Sequence, residues 1–283
     1  MLKYIAVLII IAQVVSAKSY VFTLTNSAPG VYTAIINNGE YCIGQCAPSA
    51  DPWTPSNTTT TLWFDGADDG TVTESGGAIS QWDDKSGNSR NATQSTAANQ
   101  ATYTTLGGLP VVSLDANDYF NVGYNPSGNL SVYVVVANDR ASLVASQADI
   151  VLANTYGGNP GMSVQTYNGY TTTSKRSYYS VGNSATLYLD GVVTTDGAST
   201  LTYQHPYICE AVGNFPTGQG NMKIGRTQNG NQYGNNLIHE IVFVSGQDSE
   251  SDRQKMEGYL AHKWGFEDDL PAGHPYKSAA PTQ

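Results

Sequence analysis

Hydrophobic and polar positions alternate in short runs along most of this chain. Runs at 111–115, 119–122, 130–137, 149–153, 161–167, 185–190, 207–212, 222–225 and 237–244 read as strands, punctuated by Gly, Asn, Asp and Pro. Two stretches within them, Leu130 to Val136 and Ile241 to Val244, are almost continuously apolar, as expected of inner strands of stacked sheets. Leu187-Tyr188-Leu189 runs into Asp190-Gly191, a hairpin-turn pair. Pro206 belongs at a strand edge or start, because it has no N–H for a ladder. The period changes to helical after Asp248-Ser249-Glu250-Ser251-Asp252, which supplies an N-cap and an acidic first turn. Met256, Tyr259, Leu260 and Lys263/Trp264 then recur every three or four residues until Gly265, so one helix is predicted near 249–264. At that spacing Tyr259 and Trp264 read as core residues rather than sugar-stacking platforms.

The first sixty residues form a different pattern. Tyr20-Val21-Phe22-Thr23-Leu24, Val31-Tyr32-Thr33-Ala34-Ile35-Ile36 and Tyr41-Cys42-Ile43 read as strands of a small β unit over 18–50. It has too little apolar surface to stand alone, which suits an attachment device. Residues 51–60, dense in Pro, Ser and Thr, read as a linker to a main domain over 61–283. The chain shows no internal repeat.

One further stretch organises the rest. In Ile79-Ser80-Gln81-Trp82-Asp83-Asp84-Lys85-Ser86-Gly87-Asn88, alternation ends at a bulky Trp82, and Asp84, Ser86, Gly87 and Asn88 make a turn. It reads either as a strand end closing a loop against a core Trp or as oxygens converging on a hard cation. Together with Trp63-Phe64-Asp65, Leu109-Pro110-Val111-Val112-Ser113-Leu114-Asp115 and Glu257-Gly258-Tyr259-Leu260-Ala261-His262-Lys263-Trp264-Gly265, it resembles the laminin-G-like, concanavalin A-like lectin/glucanase superfamily. The form it resembles is the one common in bacterial surface proteins and bacteriophage structural proteins. The resemblance implies an all-β fold, an antiparallel two-sheet jelly-roll sandwich, here with one C-terminal helix and a small N-terminal β-hairpin unit.

Composition narrows the function. The 283 residues include 29 Gly and 19 Tyr with 13% charged residues, which fits a turn-rich β protein rather than long helices. A net charge of -10 without any basic run argues against nucleic acid as a partner. Residues 1–17 join Lys3 to an apolar run and end in Ser16-Ala17, the pattern of a cleaved signal peptide. Retained, the same segment suits burial between subunits. The first reading gives an extracellular or cell-surface protein, the second a virion-surface component. Cys42 and Cys46 lie close enough for a small disulfide loop if the chain is exported, and Cys209 reads as a buried thiol.

Candidate chemistry is sparse. The superfamily's glucanases carry paired Glu on alternate positions of one strand, and no Glu-x-Asp-x-Glu occurs here. His239 and Glu240 are neighbours on one strand and are expected to face opposite sides. No hydrolase elbow, zinc helix or phosphate loop occurs, so the chain reads as non-catalytic, with a glycoside hydrolase as the lesser alternative. Asp65, Asp68 and Asp69 form an acidic turn that fails as an EF-hand, since Ala67 and Gly76 fall at ligand positions. They remain candidates for a looser Ca²⁺ site, an ion that laminin-G-like domains often hold. For recognition, the Tyr- and Asn-rich loops stand out: Tyr156, Tyr167, Tyr170, Tyr178 and Tyr179 in one segment, and Tyr233 in another. These properties point to a recognition or structural protein in many copies on a surface. A virion decoration, fibre or receptor-binding component, or a bacterial adhesion protein, would fit. Its expected partners are a cell-surface or extracellular glycan, further copies of itself as a homo-oligomer, and neighbouring virion or surface-layer subunits bound through residues 1–60.

Overall fold

The structure is a computed structural model. It describes residues 51–283 apart from 116, 140–147, 156–161, 169–174, 182–184, 195–199 and 219, together with the strands found within 20–43. The chain divides into two compact units, residues 1–52 with 282–283, and residues 53–281. In the first, β1 (Tyr20–Thr25), β2 (Val31–Asn37) and β3 (Glu40–Ile43) pair in sequence order as an antiparallel sheet. Pro52 forms an isolated antiparallel bridge with Thr282.

The second unit is mostly antiparallel β. Its strands begin with β4 (Thr60–Asp65), β5 (Val72–Ser75), β6 (Ala78–Trp82), β7 (Ala92–Thr93), β8 (Thr102–Leu106) and β9 (Leu109–Leu114). They continue with β10 (Phe120–Val122), β11 (Gly128–Asn138), β12 (Ala148–Ala153), β13 (Met162–Asn168) and β14 (Lys175–Val181). The remainder are β15 (Ala185–Leu189), β16 (Val192–Thr194), β17 (Thr200–Leu201), β18 (Pro206–Phe215), β19 (Lys223–Ile224) and β20 (Asn236–Ser245). All of these described strands join through hydrogen-bonded neighbours into one connected, open sheet, where the resemblance implied two. The connection comes from strands that pair on both edges with partners distant in sequence: β11 with β18 and β20, and β20 with β4 and β9.

β11 explains why its sequence is apolar without alternation. Leu130, Val132, Val134 and Val136 enter the main core with Phe64, Trp82, Phe120 and Phe243. Tyr133 and Val135 face the other way, against Met256, Leu260 and Trp264 of the helix α1 (Glu250–Trp264). The helix begins where predicted, with the Ser249 side chain accepting from the Asp252 N–H, and stops at Gly265 in the left-handed region. Each large apolar side chain of its stripe contributes about 1.5–3 kcal/mol by leaving water. Trp53, in the stretch read as a linker, is buried in this same cluster, edge-on to Tyr259 at 6.0 Å. Local Pro and Ser/Thr density identifies irregular backbone but says nothing about where one aromatic docks.

A β-bulge corrects the expectation for His239 and Glu240. Val135 pairs with Glu240 and Val136 with Ile238, so His239 is an extra residue in β20. The slip turns both side chains toward Trp264. The His239 ring lies edge-on to it at 4.8 Å, and Glu240 Oε2 accepts its indole N–H at 2.7 Å. Gly66 holds the bulge by donating its N–H to the His239 carbonyl at 2.8 Å. A Cβ on Gly66 would fall 2.7 Å from that oxygen.

The Asp190-Gly191 turn joins β15 to β16 as expected, with φ values of 49° and 77°. Asp190 is buried and accepts the Ile208 N–H at 2.7 Å. Burial, with smaller contributions from Asp269 and Glu257, pushes its carboxyl up to about 7. Its ordinary value is 3.8, so between roughly pH 4 and 7 the unfolded chain has lost the proton that the folded chain retains. This site's contribution to stability is therefore complete below pH 4 and is lost as pH rises to 7. Burial acts oppositely on His239, lowering it to about 4, so its contribution grows as pH rises from 4 to 6.5.

Two predictions follow from these positions. Gly66→Ala should cost about 1–3 kcal/mol in denaturant unfolding, since backbone must move to admit one methyl. Gly273→Ala, where an added Cβ meets nothing within 4 Å, should stay within about 0.5 kcal/mol. Asp190→Asn should gain stability relative to the parent between pH 4 and pH 8, on the order of 2–4 kcal/mol. A difference between the two proteins that does not change with pH would refute the assigned titration.

Candidate functional site: a groove lined by amides and cations

The loop after β6 is held by carboxylates that bond its own backbone. Trp82 is fully buried and donates its indole N–H to the Asp65 carbonyl at 3.3 Å. Asp84 Oδ1 accepts the N–H groups of Trp63 and Ser86, both at 2.9 Å. Its Oδ2 accepts the Ser86 hydroxyl and the Arg90 N–H at 2.9 and 3.0 Å. Asp83 accepts from Asn91 and Gln81, each at 2.7 Å. Of the two readings of this stretch, the geometry gives the closed loop: these oxygens are occupied by protein donors. Ser89 adopts φ 56°, and Arg90 leaves the loop with its guanidinium 3.9 Å over the Tyr124 ring. One Arg90 N–H is fixed on the Thr61 carbonyl at 2.8 Å.

This loop walls one side of an open groove of about 530 Å³. Its floor is a cross-strand row, Thr93 of β7, Asn121 of β10 and Lys223 of β19. Phe120 and Ile224, one residue away, point into the core, so strand alternation turns Asn121 and Lys223 outward. Lys223 Nζ donates to Asn121 Oδ1 at 2.5 Å. Burial, and then the nearby Arg226, lower the Lys223 ammonium from its ordinary value. Arg226 itself stacks 3.6 Å over Tyr119. Ser89, Asn91 and Asn221 complete the polar lining, which contains no carboxylate. Among the described residues, none of Arg90, Lys223 and Arg226 forms an ion pair. The groove therefore presents hydrogen-bond donors in excess, with positive charge fixed by aromatic rings and amide oxygens.

Two buried ionic clusters lie elsewhere in the fold. In the first, Glu240 accepts the indole N–H groups of Trp63 and Trp264 and the Lys263 ammonium, all at 2.7 Å, and the Tyr259 hydroxyl at 3.2 Å. Lys263 also reaches Asp65 Oδ1 at 2.6 Å, while Lys85 bridges Asp65 Oδ2 and Asp68 at 2.8 and 2.7 Å. In the second, Arg253 pairs with Glu257 and stands 3.8 Å from Glu210. His274 lies 2.8 Å from the other Glu257 oxygen. Burial, followed by Glu257 beside it, pushes the Glu210 carboxyl well above the usual range.

The acidic turn expected to hold Ca²⁺ is thus arranged around lysines. The Lys85 ammonium stands between Asp65 and Asp68, and Asp69 is exposed at the start of a short 3-10 turn. Among the described residues no group of three or more His, Cys, Asp or Glu is placed to hold a metal ion. Of the tyrosines singled out, Tyr233 is half-buried, edge-on to Tyr119 at 6.5 Å and bridged to Arg226. Tyr167 lies on β13 and Tyr178 and Tyr179 on β14, where only the backbone is described. Tyr156, Tyr170 and Cys46 fall outside the described residues, and Cys42 is on β3. Cys209 is buried, as read. Sequence reasoning missed Arg90, Asn121 and Lys223. The one available signal was the Phe120-Asn121-Val122 alternation, which marks Asn121 as outward.

No protein-family model matches this chain, and no curated relative does. Solved structures match it distantly. A GH54 α-L-arabinofuranosidase soaked with a cyclic sulfate inhibitor shares 14% identity at a TM-score of 0.46, over 74% of this chain and 60% of that one. Trypanosoma rangeli sialidase in complex with 2,3-difluorosialic acid shares 11% identity at 0.41, over 86% of this chain and 45% of that one. The same sialidase with the inhibitor DANA gives 12% and 0.41 over 88% and 46%. The chain thus spans less than two thirds of the length of these carbohydrate-active enzymes. Likeness at this level assigns it neither an activity nor a site residue.

Proposed function

We propose that this chain is a non-catalytic, surface-displayed carbohydrate-recognition module. In this reading its open sheet folds over one core as a lectin-like jelly-roll sandwich, and an acidic saccharide sits in the groove. The observation that carries the reading is the groove's lining: amides and hydroxyls suited to sugar hydroxyls, two cations, and no carboxylate to repel an anion. Arg90 is pre-positioned by Tyr124 and Thr61, and Lys223 by Asn121, so little side-chain freedom is lost on binding. Most glycoside hydrolases use two accessible carboxylates flanking the substrate. Here Glu210 and Glu257 lie close to one cation but are both fully buried.

Binding should be tested on an array of uronate-, sialate- and sulfate-bearing oligosaccharides beside their neutral parents. Arg90→Ala and Lys223→Ala should each weaken binding of the best ligand roughly 10- to 100-fold, the value of about 1.5–3 kcal/mol for a charged hydrogen bond. The melting temperature of both variants should stay near that of the parent. Absence of any bound saccharide, or binding indifferent to both substitutions, would overturn the reading.

A further inference from the structure

We propose that the side chains of Lys263 and Asp65 condense into an intramolecular amide cross-link, with Glu240 as the proton carrier and Lys85 polarising the reacting carboxyl. Lys263 is in the last turn of α1 and Asp65 ends β4, 198 residues apart in sequence, yet Nζ lies 2.6 Å from Oδ1. The nucleophile is thus in contact with the carboxyl it would attack. Such contact removes the need for a bimolecular encounter once the Nζ lone pair is freed and turned toward Cγ.

The surrounding groups have the required roles. Glu240 Oε2 is 2.7 Å from the same Nζ, and Glu240 has no exposed surface. Burial raises its carboxyl despite the opposing Lys263 charge, which suits a group that must accept a proton. The Trp63 and Trp264 indoles fix its two oxygens in place. On the far side of Asp65, the Lys85 ammonium donates to Oδ2 at 2.8 Å, where negative charge develops during attack. Asp68 holds Lys85 there, and hydrogen bonds to Asp65 and Asp68 keep that ammonium charged against the cost of burial. Water has limited access: the Asp65 side chain is 6% exposed and that of Lys263 19%.

The step balances without any further reagent. Lys263 gives one ammonium proton to Glu240, which passes it to Asp65 Oδ1, and the freed Nζ lone pair attacks Cγ of the resulting neutral carboxyl. Charge collects on Oδ2 beside Lys85. Oδ1 then departs as water, taking its second proton from Nζ by way of Glu240. An Nζ–Cγ bond forms, the Cγ–Oδ1 bond breaks, and the ammonium and carboxylate charges vanish together. Against burial, Lys263 and Lys85 keep Asp65 ionised in the starting state, so the reaction is a slow maturation rather than a turnover. Its product ties a core strand covalently to the end of the helix.

The test is a tryptic digest of the full chain after prolonged incubation, read by tandem mass spectrometry. Trypsin does not cleave at an acylated lysine, so residues 19–85 should appear joined to residues 256–277, lighter than their sum by one water. Fragment ions should place the link at Asp65 and Lys263. Asp65→Asn should give the same link with loss of ammonia instead. Glu240→Gln, if its near-ultraviolet circular dichroism is native, should leave the two peptides separate. A folded Glu240→Gln protein that still cross-links would overturn the role given to Glu240. Should that variant not fold, Lys263→Arg keeps the charge and forbids the bond, and a lower melting temperature is expected for it. Complete cleavage after Lys263 in the incubated parent, at unmodified mass, would end the proposal.

Discussion

The rest of the second unit depends on the burial of Glu240. Removing a carboxylate from water costs several kcal/mol, and only a full set of donors makes it tolerable. Those four donors come from two elements far apart in the sequence: Trp63 on β4, and Tyr259, Lys263 and Trp264 on α1. A helix shifted by one residue, or a β4 out of register, would leave a buried charge unpaired. The network therefore selects one arrangement of strand, strand and helix more sharply than apolar packing alone, which tolerates small slips. The bulge at His239 belongs to the same requirement, because without it alternation from Ile238 would carry Glu240 into the apolar core.

The groove inherits its shape from that constraint. Lys85, which completes the charge balance around Asp65, also donates its backbone N–H to the Trp63 carbonyl at 2.8 Å. The adjacent Asp84 accepts the Trp63 N–H and then organises the turn that delivers Arg90. The edge of β4 thus carries the ionic network at one residue and the wall of the groove at the next. A second cluster repeats the logic toward the other end of α1. There Arg253, stacked 3.9 Å over Tyr188, stands among Glu257, Glu210 and the His274 of the C-terminal tail. Burial and the neighbouring Glu257 hold the Glu210 carboxyl well above the usual range, against the opposing charge of Arg253.

Features of the chain that rest on local rules were legible in the sequence. The helix announces its cap, its stripe and its stop within 18 residues, from Asp248 to Gly265. The Asp190-Gly191 turn and the apolar inner strands are equally local. What could not be read depends on pairing between distant segments. Asp65 and Asp68 look like spare carboxylates because Lys85 and Lys263 lie 20 and 198 positions away. One inserted residue at His239 reverses the face of its neighbour, and alternation cannot detect it. The groove is assembled from strands of two or three residues, too short for a period, so its cations were passed over for tyrosine-rich loops. Trp53 escaped for the same reason, its partner Tyr259 being far along the chain.

The cations of the second unit are unevenly distributed. Of the lysines and arginines with described side chains, Lys85, Lys263 and Arg253 are committed to buried carboxylates, whereas Arg90, Lys223 and Arg226 gather at or beside the groove without any. In a chain of net charge -10, this is a local reversal of sign on an acidic background. At physiological salt, charges act over roughly 8 Å, so an approaching anion feels the whole molecule weakly and the groove strongly only once it has arrived. Such an arrangement does not speed encounter, as a broadly basic surface would. It favours discrimination at contact, because the groove lining offers an anion two cations and no carboxylate. Recognition by this groove then rests on the fixed positions of a few donors, and those positions trace back through Asp84 and Trp63 to the buried carboxylate of Glu240.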